Sequence, residues 1–496
     1  VTPGRARIAA AAALVVGAAG DQLLRAQQPV LGFVGVVFLC LGAAWVVNAG
    51  RGGAASRVLI LILTALAATG LLLRDAATIL AYDLLTLFSG AALVVWLPLG
   101  RSLARFRLRD GVRAWWAAFL TSVGGAFATF LRDPEWTPSS TFTGRRQRTA
   151  LLGVVLAVPP LFVVGALLAQ ADPAFGSFLT VWPDLKLENA AGHLFMVAAI
   201  AWPTAGWLRG TAQPVLQRPT YVDGTPSRLD FIGLMPALYG LAAMIAMYLV
   251  FQARALFGGA AYVESTVGLT YAEYARRGFF ELLTVTALVL MVLLLADHLL
   301  DRRSPGADRR FRVTGWMLVI LLGVLMLSAL QRMWVYVSYF GLSDTRLYAT
   351  AGMAWVGVAL AWFGATILRG RRSRFGVGLL VASACWVVAL NILDPEAVVV
   401  RVNLARALAG AEFDIPYHAG LSADAVPSLV VAAEQLDHSR CETLLEVLRL
   451  HWAVDPVAER DWRSWNLPRE RARDLMAPPL ASLQAAHCRT LTPSTS

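Results

Sequence analysis

The stretch FFELLTVTALVLMVLLLADHLLDRRSPGADRRFRVTGWMLVILLGVLMLSAL (Phe279–Leu330) decides the fold. An apolar run, Phe279–Leu299, leads into a loop carrying Arg302, Arg303, Arg309, Arg310 and Arg312, and a second apolar run, Val313–Leu330, follows. A helix of about 20 mostly apolar residues spans the hydrocarbon core of a bilayer, so the stretch reads as two membrane spans joined by a basic loop. Similar runs occur at Ile8–Leu24, Val30–Val47, Val58–Leu73, Ala76–Leu97, Ala150–Ala169, Ala190–Leu208, Phe231–Phe251, Tyr348–Leu368 and Gly376–Leu393, giving eleven candidate spans. Composition agrees. Of 496 residues, 57% are hydrophobic and 15% charged, and the mean hydropathy is +0.61. That leaves too little polar surface for a soluble domain and excludes a disordered chain or a nucleic-acid-binding module.

The net charge of +11 is distributed with a pattern. Twenty-five Arg lie before the first span or in the loops after the second, fourth, sixth, eighth and tenth, against eight Arg and Lys in the alternate loops. Basic loops stay in the cytoplasm, so the N-terminus is expected inside and the C-terminal tail outside. One moderately apolar segment, Ala114–Leu131, would break this alternation if it spanned. Its Trp115, Trp116 and flanking Arg suit an interfacial or re-entrant helix. The first run also has features of a signal peptide, but it extends past Asp21 and reads better as a span.

The expected fold is therefore all-α: a polytopic membrane bundle over 1–393, an interfacial helix, and a small helical extracytoplasmic domain over 394–496. The tail holds 10 Arg and 14 Asp and Glu, with helical periodicity around Leu444, Leu445 and Leu448. Cys441 and Cys488 are its only cysteines. Outside the cell such a pair is expected to form a disulfide. Cys40 and Cys385 fall in apolar runs and read as small hydrophobes.

Three polar clusters are assigned to the outer face. Arg276, Arg277 and Glu281 lead into the eighth span; Arg332, Asp344 and Arg346 join the ninth and tenth; Asn391, Asp394, Arg401 and Asn403 follow the eleventh. Arg–carboxylate sets with aromatics suit a lipid, anionic or sugar ligand, and they equally suit ion pairs that dock the tail on the bundle. Asp83 lies inside the fourth span, where a carboxyl is costly and marks a functional site or a polar contact between helices. Pro159, Pro160, Pro203 and Pro236 interrupt spans, as in transporters and in static bundles alike. No phosphate loop, HExxH, CxxC or GxSxG occurs, and the histidines lack ligand spacing, so neither a metal nor a cofactor is expected.

The stretches GLTYAEYARRGFFEL (Gly268–Leu282), YVSYFGLSDTRLYATAGMAW (Tyr336–Trp355), NILDPEAVVVRVNLARA (Asn391–Ala407) and GLSADAVPSL (Gly420–Leu429) carry a resemblance. They resemble the bacterial multi-pass membrane proteins grouped as domain of unknown function 4173, related to the 4153 group. The likeness runs from about Ala150 to the C-terminus, and the first four spans are generic. Ser343 stands where a threonine is expected in the GLT-type turn. The resemblance implies a bacterial plasma-membrane location and no established activity. The expected role is non-enzymatic: envelope sensing, assembly or ligand binding at the outer face, with the bilayer, a lipid or sugar ligand, or a membrane protein as partner. Alternatives are a multi-span glycosyltransferase using a lipid-linked sugar, with Asp21 as its outer-loop acid, and a transporter with Asp83 on its pathway.

Overall fold

In the computed structural model the described residues are 3–49, 54–96, 106–127, 129, 187–212, 231–267, 279–302, 305–452 and 461–488. The expected span Ala150–Ala169, with Pro159 and Pro160, lies outside them, as do Arg276 and Arg277. Among the described residues every regular element is a helix. The bundle helices are α1 (Pro3–Leu23), α2 (Val30–Val47), α3 (Ala54–Leu73), α4 (Ala77–Trp96), α5 (Leu108–Phe127), α6 (Leu187–Ala212), α7 (Phe231–Val267), α8 (Phe279–Leu299), α9 (Ala307–Phe340), α10 (Asp344–Thr366) and α11 (Phe375–Leu393). Nine helices among the described residues are long and apolar enough to cross a membrane; α5 and α6 fall outside that set. The protein is an all-α polytopic membrane fold.

Boundaries follow local chemistry. Helix α9 runs through Phe340, ten residues past the apolar run, because Gln331–Phe340 remains helix-compatible until Gly341 adopts φ 78°. Helix α10 begins early at Asp344 because the Ser343 hydroxyl caps it, accepting from the Arg346 N–H at 3.3 Å.

Two cores organise the bundle. One joins α7 to α10 through side chains such as Leu293, Phe311, Leu318, Leu322 and Phe363, all fully buried. The other joins α1, α4, α5 and α6 around Trp96, Ala205 and Leu208. Helix α5 packs on the C-terminal halves of α4 and α6: Trp115 lies against Phe88, and the Trp202 indole N–H donates to the Val123 carbonyl. Gly206 permits the α5–α6 approach, since a Cβ there would stand 2.2 Å from the Thr121 carbonyl.

Helix ends sort onto two faces. On one, Asn48 after α2 donates to Thr211 of α6, and Asp297 and Asp308 share Arg302 and Arg372 across the α8–α9 and α10–α11 turns. On the other, Asp21 near the end of α1 accepts from Arg25 and pairs with His193 of α6, the ends of α3 and α9 meet the tail, and α11 runs into it through Asp394.

The tail folds as α12 (Pro395–Leu408), α13 (Ile415–Ala419), α14 (Val426–Ala433), α15 (His438–Trp452), α16 (Leu467–Met476) and α17 (Leu480–His487). Its own core includes Val426, Leu429, Leu444, Leu445, Leu448 and Met476. Cys441 and Cys488 form the expected disulfide between α15 and the end of α17.

Candidate functional site at the bundle–tail junction

The α3–α4 connection is only Arg74, Asp75 and Ala76, so these three residues present two helix ends to the tail together. The N–H groups of that connection lie just ahead of the positive end of α4, and Asp424 accepts from them from the tail. Its Oδ2 accepts from the Asp75 and Ala76 N–H groups at 2.7 and 2.9 Å. Its Oδ1 lies 3.4 Å from Arg74 Nη1, which also pairs with Asp394 Oδ2 at 2.5 Å. Arg74 Nε donates to the Asn391 carbonyl at 2.7 Å, closing the exposed end of α11.

Asp394 is the only residue between α11 and α12. It adopts φ 54° in the left-handed region, and its Oδ1 caps α12 by accepting from the Ala397 N–H at 3.2 Å. Two residues on, Glu396 is 6% exposed. Its Oε2 accepts from the Ser422 N–H at 2.9 Å and the Ser422 hydroxyl at 2.6 Å. Burial pushes the Glu396 carboxyl up to about 7, the charges of Asp424 and Asp344 adding to the rise and the Ser422 bonds opposing it. Burial raises Asp424 too, against its two backbone N–H bonds and Arg74.

A second clamp holds the α9–α10 turn. Asn403 accepts the Leu342 N–H at 2.8 Å and donates to the Leu342 carbonyl at 2.7 Å, so one amide completes both backbone groups. The same Nδ2 lies 3.0 Å from His418 Nε2. The Tyr417 hydroxyl accepts from the Asp344 N–H at 2.9 Å and donates to its carboxylate at 3.2 Å. Arg346 lies over the Tyr336 ring, 4.1 Å from its centroid, and donates to the Phe340 and Gly341 carbonyls. Arg406 reaches the Ser338 and Tyr339 carbonyls, both at 3.0 Å.

A third contact ties the tail to the N-terminal spans. Asn466, 1% exposed, donates to the Leu71 and Arg74 carbonyls at the end of α3. Arg469 pairs with Asp75 at 2.6 Å, and Arg463 donates to the Gln22 carbonyl at 2.6 Å.

A family model covers residues 8–432 of this chain. The chain belongs to the DUF4153 family, a domain of unknown function. No curated protein and no solved structure matches it. The DUF4153 match begins in α1, so the likeness includes the first four spans, which the motif reading took as generic. It ends within α14. Asp83, Arg74, Glu396, Asn403 and Asp424 therefore lie inside the DUF4153 region, while Asn466, Arg469 and the disulfide lie beyond it.

The sequence-derived site residues divide within this frame. Asp344, Arg346, Asn391, Asp394 and Asn403 all work at the junction. Glu281 is exposed at the start of α8, and Arg332 is buried in α9 at 7% exposure. Arg401 is exposed, with its Nε bonded to the Ala397 carbonyl of its own helix. Asp83 is 1% exposed and bonded to Asn391. Asp21, the acid considered for an outer loop, instead closes the last turn of α1 at 2% exposure. Sequence reasoning missed Arg74, Glu396 as a paired group, His418, Ser422, Asp424 and Asn466. The motif GLSADAVPSL contains two of them, and its polar Ser422 and Asp424 before an apolar helix start were the available signal. Among the described residues no group of three His, Cys, Asp or Glu is placed to hold a metal ion.

Proposed function

We propose that this protein is a non-enzymatic component of a bacterial plasma membrane, N-terminus cytoplasmic and tail outside, acting in envelope assembly, sensing or ligand binding through its tail face. The observation that carries this reading is the junction: Asp394 pairs with Arg74, and Asp424, Asn403 and Asn466 each satisfy a bundle connection or helix end from the tail. Such a junction makes the tail a fixed platform on the bundle rather than a tethered domain. The orientation rests on the 25-to-8 division of basic residues and on the tail disulfide. The finer 4173 grouping rests on the four quoted motifs alone. Exposed Arg401 and Glu281 are left as the contact groups for an anionic ligand or a membrane protein partner.

Native mass spectrometry of the protein extracted gently from its own membrane tests the reading. A stoichiometric anionic ligand or defined protein partner, lost on Arg401→Ala, is the expected result. A bound lipid-linked sugar that is consumed when a sugar acceptor is added would overturn it in favour of the glycosyltransferase. The transporter alternative draws on one observation, the burial of Asp83 within α4.

A further inference from the structure

Among the described residues, Asp83 and Glu396 are the two buried carboxyls of the junction with no cation beside them. Asp83 accepts from Asn391 Nδ2 at 3.0 Å through Oδ1, and its Oδ2 has no hydrogen-bond partner among the described residues. The α3 backbone is pressed against that carboxyl, since a Cβ on Gly70 would stand 2.7 Å from Oδ2. Among the described residues Glu396 is held by Ser422, a neutral partner.

The neighbouring charges are otherwise engaged. From the α3 end, Arg74 is committed to Asn391, Asp394 and Asp424, and Asp75 is paired with Arg469 of α16. From α10, Asp344 is bonded to Tyr417, and Tyr348 places a buried hydroxyl, itself without a partner among the described residues, in the field of Glu396 and Asp424. Tyr82 of α4 packs against Tyr348, with ring centroids 6.5 Å apart. Apart from Asp344 and the Asp75–Arg469 pair, four carboxyls, Asp83, Asp394, Asp424 and Glu396, stand with the Arg74 guanidinium. Ionising Asp83 and Glu396 as well would bury two negative charges with no cation beside them among the described residues, which a low-dielectric site does not support. Two of the carboxyls are compensated where they stand. Asp394 has Arg74 and the start of α12; Asp424 has Arg74 and two N–H groups just ahead of α4.

We infer that Asp83 and Glu396 each hold a proton at neutral pH, making the bundle–tail junction a two-proton binding site. This stands apart from the proposed role at the tail face and does not depend on it. The two positions are joined by a run of hydrogen bonds: Asn391 Nδ2 donates to Asp83, Arg74 donates to the Asn391 carbonyl and to the Asp424 carboxylate, the Asp424 N–H donates to the Ser422 hydroxyl at 3.3 Å, and that hydroxyl donates to Glu396. Arg74 does not give up its proton, so the chain does not pass one along. It couples the sites electrostatically, and ionising either carboxyl draws on the field of the same guanidinium. The upward displacement of Glu396 by burial agrees with its half of the site.

Infrared difference spectroscopy of the full-length protein in lipid nanodiscs reads protonated carboxyls directly through their C=O stretch. At neutral pH the wild type is expected to show two such components, with Asp83→Asn removing one and Glu396→Gln the other. Both replacements keep the shape of the protonated acid, and the retained disulfide and unchanged elution volume establish that they fold. Failure of either replacement to remove its component overturns the two-proton site. A component assigned to Asp83 that appears only when sodium is withdrawn also overturns it, identifying a sodium ion at Asp83 instead.

Discussion

His418 holds Asn403 in the one orientation that lets it clamp Leu342. The ring is 2% exposed and stacked on Phe413, with centroids 4.2 Å apart. Its Nδ1 donates to the Asp414 carbonyl at 2.6 Å, which leaves Nε2 as the acceptor for Asn403. A proton on Nε2 would set two donors face to face. Asn403 would then turn its amide, and the same turn would present the wrong atoms to both backbone groups of Leu342.

Acid should therefore loosen the tail through His418. Burial lowers its pKa below the ordinary 6.5. The folded protein excludes a proton that the unfolded chain accepts, so this stability is complete above about 6.5 and is lost as pH falls below it. Asn403→Ala should mimic the acid state at neutral pH, at a cost of about 1–3 kcal/mol for the unpaired Leu342 groups. Thermal unfolding of wild type and variant across pH 5–8 checks this; a wild type that loses no stability below about 6.5, or a variant as stable as wild type at neutral pH, would contradict it.

Glu396 should give a slope of the opposite sign. Its folded pKa is raised from 4.5 to about 7, so its contribution is full below 4.5 and is lost as pH rises through about 7. A displacement of that size corresponds to on the order of 3 kcal/mol. Glu396→Gln is expected to flatten the alkaline side of the stability profile and leave the His418 limb in place. Melting temperatures in a series of buffers decide it.

Gly70 and Asp83 should be coupled. Gly70→Ala drives a Cβ into the Asp83 carboxyl, and overpacking of this kind costs about 1–3 kcal/mol. Replacing Asp83 by Ala removes the obstacle, so the double variant should be more stable than the sum of the single effects predicts. A double-mutant cycle on detergent-solubilised protein measures the coupling, and strict additivity would refute the contact.

Reduction should weaken the tail selectively. Cys441 and Cys488 are 47 positions apart, and closing a loop of that length stabilises by about 3–4 kcal/mol in the chain-entropy model. Both cysteines lie beyond the DUF4153 match. Cys441→Ser with Cys488→Ser is expected to expose α15–α17 to protease while the bundle helices resist. Equal protection in both forms would show that the disulfide adds nothing.

Most of the helical architecture could be read from the chain, because an apolar run of span length has few other destinations. The limits of α9 could not: Gln331 and Arg332 end the apolar run, yet the helix continues to Gly341, and Arg406 of the tail bonds the Ser338 and Tyr339 carbonyls of its last turn. Polar residues beside span ends drew attention to Asp344, Arg346, Asn391, Asp394 and Asn403, which the fold brings to the bundle–tail junction. Their partners were hidden by distance along the chain. Asp75 and Asp424 are 349 positions apart, and nothing local to either announces the other. Arg401 has the same charge and helix as Arg406, yet one points to solvent and the other to the α9 end, a difference set by how α12 lies on the bundle.

The Asp394 corner has a mechanical meaning. A single residue with a left-handed backbone joins α11 to α12, and proline follows it immediately. Proline fixes its own φ, so little slack remains between the last membrane helix and the first tail helix. A tilt or twist of α11 is thus delivered to the tail as torque instead of being absorbed by a linker, and a load on the tail returns along the same lever into the bilayer.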